Sequence, residues 1–132
     1  MKIAKFLRLL TALSFPMVEI VGPKLGYPIY HTFILLFTYP YFPFVIYGIL
    51  EVIAILYLAF SIFFKNTKIS LICVLLSIVL MWYELIPSVG DFLRWNRGSL
   101  YTISSWIVFW LISFGCFFAT VIQLMKLKKK SV

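Results

Sequence analysis

Phe44-Val45-Ile46-Tyr47-Gly48-Ile49-Leu50-Glu51-Val52-Ile53-Ala54-Ile55-Leu56-Tyr57-Leu58-Ala59-Phe60-Ser61-Ile62-Phe63-Phe64 carries one charge, Glu51, in an otherwise apolar run. A helix needs ~20 apolar residues to cross a hydrocarbon core of about 30 Å. The run therefore predicts a membrane span over 44–64. Further spans are predicted on either side of it. Ile69–Gly90 is apolar up to Glu84, and the stretch from Gly98 to Met125 is uncharged, giving spans over about 69–90 and 99–125. A weaker one covers about Ile3–Gly22, where Lys5 and Arg8 are expected to snorkel toward water. Ala12-Leu13-Ser14 offers small residues for a leader cleavage. The apolar run before it is too short and apolar sequence continues past it, so no cleavage is expected.

Composition agrees with the spans. Hydrophobic residues make up 64% of the 132 and charged residues 12%. A soluble domain of this size buries only about 60–70% of its chain surface, too little to hide so much apolar area. A bilayer removes the problem by acting as the apolar solvent. One transmembrane domain over 1–132 is expected, an all-α bundle of four helices in a cell (inner) membrane. The net charge of +8 does not point to nucleic acid, because the basic residues bracket apolar segments and form no interleaved patch. They read as topology signals and contacts to anionic lipid.

The joins fix the arrangement. Lys65–Lys68 and about Asp91–Arg97 are short, which makes their flanking helices antiparallel neighbours. Between the first two spans, Pro23–Pro43 holds prolines at 23, 28, 40 and 43. Its apolar piece Tyr30–Thr38 is too short to cross, so an interfacial or re-entrant segment is expected there. With the N-terminus inside, the inner side holds Lys2, Lys5, Arg8, Lys65, Lys68, Lys126, Lys128, Lys129 and Lys130, and the outer side Lys24, Arg94 and Arg97. This bias predicts four spans with both termini cytoplasmic.

All four acidic residues then fall in the outer half or just outside it: Glu19, Glu51, Glu84 and Asp91. Glu51 lies about 10 Å deep at 1.5 Å per residue. A carboxylate at that depth faces the bundle interior, finds a partner or stays protonated. Two readings follow: a ligand-contacting or proton-accepting group in an outward cavity, or a structural group that locks helices together. Glu19 and Glu84 are nearer the interface, where solvation alone explains them. Arg94 and Arg97 flank Trp95 as interfacial anchors, or else pair with the outer carboxylates or an anionic ligand. Lys24 shares that side. The candidate ligand-binding set is thus Glu51, Glu19, Glu84, Lys24, Arg94 and Arg97.

Other chemistry is not indicated. His31 has no second His or Cys at metal spacing, and no nucleophile elbow, HExxH, P-loop or GxGxxG occurs. No enzymatic activity, metal or cofactor is expected. Cys73 and Cys116 read as small buried hydrophobes. Gly115 and Ala119, with Cys116 and Thr120, place small residues at four-residue spacing, for packing within the bundle or against a partner subunit. The tail Lys126-Leu127-Lys128-Lys129-Lys130-Ser131-Val132 reads as an inner-face anchor, and in a eukaryote also resembles a dilysine signal for the endoplasmic reticulum membrane.

Four stretches carry a family resemblance. They are Leu7-Arg8-Leu9-Leu10, Val21-Gly22-Pro23-Lys24-Leu25-Gly26-Tyr27, Pro43 through Leu50-Glu51, and Lys65-Asn66-Thr67-Lys68. Over roughly residues 5–85 the chain resembles the DoxX-like family of small four-helix membrane proteins. It departs from that pattern after Glu51, where Val52, Ile53 and Ala54 replace the family's glycines. The resemblance implies a membrane subunit or accessory protein, with Glu51 as the helix-2 glutamate and Lys24 as the helix-1 lysine. Some relatives are linked to quinone-coupled oxidation and others to assembly of membrane partners.

The function expected is an accessory subunit or assembly factor of a membrane complex, a respiratory complex among the candidates, with the lipid bilayer and a membrane protein as partners and no nucleic acid. The alternatives are a membrane-embedded immunity protein against a pore-forming toxin, and a small transporter or ligand-binding bundle using the outer carboxylates.

Overall fold

A computed structural model describes residues 2–21, 26–29, 42–95 and 100–130. Helix α1 spans Lys2–Ser14, α2 Phe42–Phe60, α3 Lys68–Trp95 and α4 Leu100–Lys130. Each helix packs on the next and α1 packs on α4, which closes a ring of four. The all-α class expected from the sequence is thus observed. Among the described residues one helix is long and apolar enough to cross a membrane, over Ile103–Lys129, while Gly48–Phe60 and Lys68–Tyr83 are shorter apolar stretches.

The first segment differs from the uninterrupted span expected over 3–22. Its α-helix stops at Ser14 and gives way to a single 3-10 turn, Phe15–Met17. Pro16 lacks an N–H and its ring crowds the preceding turn, which favours ending the α-helix here. The 13 residues of α1 reach about 20 Å, short of a full crossing by the helix alone, and the 3-10 turn and extended residues to Val21 add length beyond it. Val18 is extended, at φ −64° and ψ 129°. The chain then enters a short antiparallel pair that the sequence reading did not anticipate. Strand β1 (Glu19–Val21) pairs with β2 (Gly26–Pro28), Glu19 opposite Pro28, and β1 packs on α3 and α4. The Ile29 amide donates to the Val18 carbonyl at 2.9 Å, and Ile29 is buried. The remainder of the Pro23–Pro43 connection, including Tyr30–Thr38 and His31, lies outside the described residues.

The other helices lie over the stretches expected to be helical, with shifted ends. Pro43 falls in the first turn of α2, where a missing N–H costs nothing. Thr67 caps α3, its hydroxyl accepting from the Ser70 amide at 3.1 Å. Helix α3 continues through Pro87 to Trp95, so 91–95, expected as loop, is helical. A helix tolerates an internal proline when its own later turns and its neighbours hold it. Helix α4 extends into the lysine tail, where cations meet the negative end of the helix dipole.

The outer faces of the helices are apolar, unlike those of a water-soluble bundle, and several polar side chains are buried. The buried face of α1 is Ala4, Arg8, Thr11 and Ala12, whereas Ile3, Phe6 and Leu13 are exposed. Helix α4 turns Trp106, Phe109, Ser113, Cys116 and Thr120 inward and Ile107, Leu111, Phe118 and Ile122 outward. Large side chains fill the middle, among them Phe15, Leu58, Leu71, Ile78, Met81 and Phe109, all fully buried. Phe15 meets Phe109 with ring centroids 5.4 Å apart, which joins the end of α1 to α4. Between α3 and α4, Trp82 packs on Trp110, Phe114 and Phe117, and its indole N–H donates to the Ser113 hydroxyl at 3.0 Å.

Candidate functional site

One end of the ring gathers the start of α1, the turn 61–67 and the end of α4. Arg8 joins all three. Its guanidinium donates to Asn66 Oδ1 at 3.3 Å and to Gln123 Oε1 at 2.8 Å. Arg8 is 0% exposed. Its Nε is buried and makes no hydrogen bond. One turn earlier, the Lys5 ammonium donates to the carbonyl of Ile62, in the turn that follows α2. A cation there faces the negative end of the α2 dipole.

The deeper hydroxyls of this cluster satisfy themselves on their own helices. Thr11 donates to the Leu7 carbonyl and Thr120 to the Cys116 carbonyl, each at 2.8 Å. This back-bonding satisfies the hydroxyl protons in an apolar setting, and the Thr11 side chain also meets the Cys116 thiol across the α1–α4 contact. Cys116 is a buried free thiol, and Cys73 is half-buried and also free. The small-residue stripe of α4 lies against α1, because a Cβ on Gly115 would sit 3.9 Å from a Leu7 methyl. Packing within the bundle therefore accounts for Gly115.

The sequence reading sent Arg8 toward water with Lys5. The structure corrects this: Arg8 points inward because Asn66 and Gln123 offer it carbonyl oxygens there. The sequence held one sign of this outcome. Ala4, Arg8, Thr11 and Ala12 form one helical face of small and polar residues, which reads as an inward face when the solvent is lipid.

The residues chosen from the sequence are placed as follows. Glu51 lies on α2 at 8% exposure, on the face that carries Ala54 and Leu58 into the core. The interior position expected for it is the one observed. Glu19 stands in β1, not at the end of a helix. Glu84 is within α3, and Arg94 is in its last turn; their side chains, like that of Glu19, lie outside the described residues. Lys24 and Arg97 also lie outside them. Of the outer set, Glu51 alone has a described side chain.

No family model, curated protein or solved structure matches this chain.

Proposed function

We propose that this chain is a multi-pass protein of the cell membrane, with four membrane-crossing segments and both termini cytoplasmic, that serves as an accessory subunit or assembly factor of a membrane complex. The apolar outer surface of the helices carries this reading. Ile, Leu and Phe side chains stand exposed along α1, α2, α3 and α4 around a core that is itself largely apolar, an arrangement that water penalises and lipid favours. Hydrogen bonds from Lys5 and Arg8 to the 61–67 turn and to Gln123 bring the start of α1 and the later turns of α4 to one end of the ring. An even number of crossings requires that geometry.

An accessory role fits a core filled by large side chains and a sequence without a catalytic motif. The likeness to DoxX-like proteins is the reason for placing respiratory complexes among the candidate hosts. A second reading, a ligand-binding or transporting bundle, draws on the burial of Glu51, since an intramembrane carboxylate marks a functional position by default.

Reporter fusions at Lys68 and at the C-terminus should read cytoplasmic, and one near Arg97 external. An external C-terminus would overturn the topology. Purification in mild detergent should bring a defined membrane protein in constant ratio; its absence, with Glu51-dependent flux in proteoliposomes, would favour the second reading.

A further inference from the structure

Among the described residues, Arg8 is a buried cation without a counter-ion. Its two hydrogen-bond acceptors are neutral amides, and its Nε has none. None of the chain's four acidic residues lies in α1, in the turn 61–67 or in the last turns of α4. A charge removed from water normally requires an opposite charge as well as hydrogen bonds. The surroundings add positive charge: Lys2 and Lys5 on α1, Lys65 in the turn, Lys68 at the start of α3, and Lys126 on α4. The same end carries some of the most exposed apolar side chains of the protein, with Phe63 at 77% and Ile3 and Ile69 each at 75%.

We propose that this end binds the phosphate of an anionic phospholipid, with Arg8 as the innermost donor. The rim of lysines draws the headgroup in, and the exposed Phe63, Ile3 and Ile69 lie where its acyl chains would run. Asn66 is the way in. It is only half-buried, and its 3.3 Å bond to Arg8 is longer than a strong charge-assisted one. A phosphate oxygen displaces the Asn66 carbonyl and offers the guanidinium a charged, forked acceptor, the geometry arginine suits best. Gln123, at 2.8 Å, stays in place and holds the guanidinium plane. The chemistry recognised is a phosphate. The lipid is preferred to the free ion because cationic and apolar groups adjoin at this end.

This inference rests on the membrane reading above. The test uses the full chain in mild detergent, with thermal unfolding and native mass spectrometry as readouts. The probes are phosphatidylglycerol, phosphatidylcholine and inorganic phosphate. Phosphatidylglycerol should raise the unfolding temperature and stay bound about tenfold more tightly than phosphatidylcholine, and inorganic phosphate should do neither. Gln123→Glu supplies the missing anion from within. It should fold, unfold at a higher temperature without lipid, and lose the preference for phosphatidylglycerol. Replacing Lys126, Lys128 and Lys129 together by Gln should weaken the preference without abolishing it. Equal response to both lipids, a full response to inorganic phosphate, or an unchanged preference in Gln123→Glu would each overturn the proposal. Failure to sediment with membranes after alkaline washing would instead overturn the membrane reading itself.

Discussion

The Arg8 guanidinium and the Gln123 side-chain carbonyl lie 2.8 Å apart, although 115 positions separate them in the chain. The bond ties the first helix to the last at the end of the ring where Asn66 also meets Arg8. Replacing Arg8 with Leu leaves Gln123 and Asn66 without their donor. The cost should be about 1–3 kcal/mol, the penalty for unsatisfied polar groups, softened by removal of a buried charge. Arg8→Lys should recover little, because an ammonium on a shorter stem cannot bridge two amides in a planar fork. Unfolding by heat or by denaturing detergent measures both. Wild-type stability in Arg8→Leu would show that the clamp contributes nothing.

Trp82 and Ser113 connect α3 to α4 in the middle of the bundle. The Ser113 hydroxyl also donates to the Trp110 carbonyl on its own helix. Ser113→Ala should cost about 1 kcal/mol and shift the emission of Trp82, which loses its acceptor. Stability and fluorescence should change together; a spectral change with no loss of stability would mean that the indole finds another acceptor.

Gly115 faces Leu7 with room for a methyl group, since its added Cβ would be 3.9 Å away. Gly115→Ala should therefore be neutral or stabilise the helix by up to ~1 kcal/mol. Gly115→Leu should push α1 from α4 and lower the unfolding temperature. A strongly destabilised alanine variant would reveal a closer approach of the two helices than this geometry gives.

Glu51 separates the two functional readings. Its burial on α2 alongside Ala54 and Leu58 places a carboxyl group in the core. Glu51→Gln keeps shape and most hydrogen bonding, and Glu51→Leu removes both. A locking role predicts that Gln is tolerated while Leu lowers abundance or releases the partner protein. A proton- or cation-handling role predicts a folded, inserted Gln variant without activity. Wild-type abundance and partner binding in both variants would remove Glu51 from the site.

What the sequence by itself determined was the helical class, the approximate position of α2, α3 and α4, and the clustering of basic residues at one end. These properties are local. A long apolar run announces itself without reference to any other segment, and so does a basic flank. The inward face of Glu51 was also legible, because a lone carboxylate in an apolar helix has few other places to go.

Only the tertiary structure decided where Arg8 and the first segment go. From its own neighbours Arg8 should have reached for water. It turns inward because Asn66 and Gln123, 58 and 115 positions away, present their oxygens to it. The first segment, apolar throughout 9–22 apart from Thr11, Ser14 and Glu19, reads as one span, yet Pro16 ends its helix and β1 finds a partner strand in Gly26–Pro28. Hydropathy sums over a window and does not register a single missing N–H or a distant acceptor. The proline is local and needs no neighbour, but the acceptor is settled only when the elements meet, because a buried polar group takes whichever partner the packed chain brings within hydrogen-bond reach.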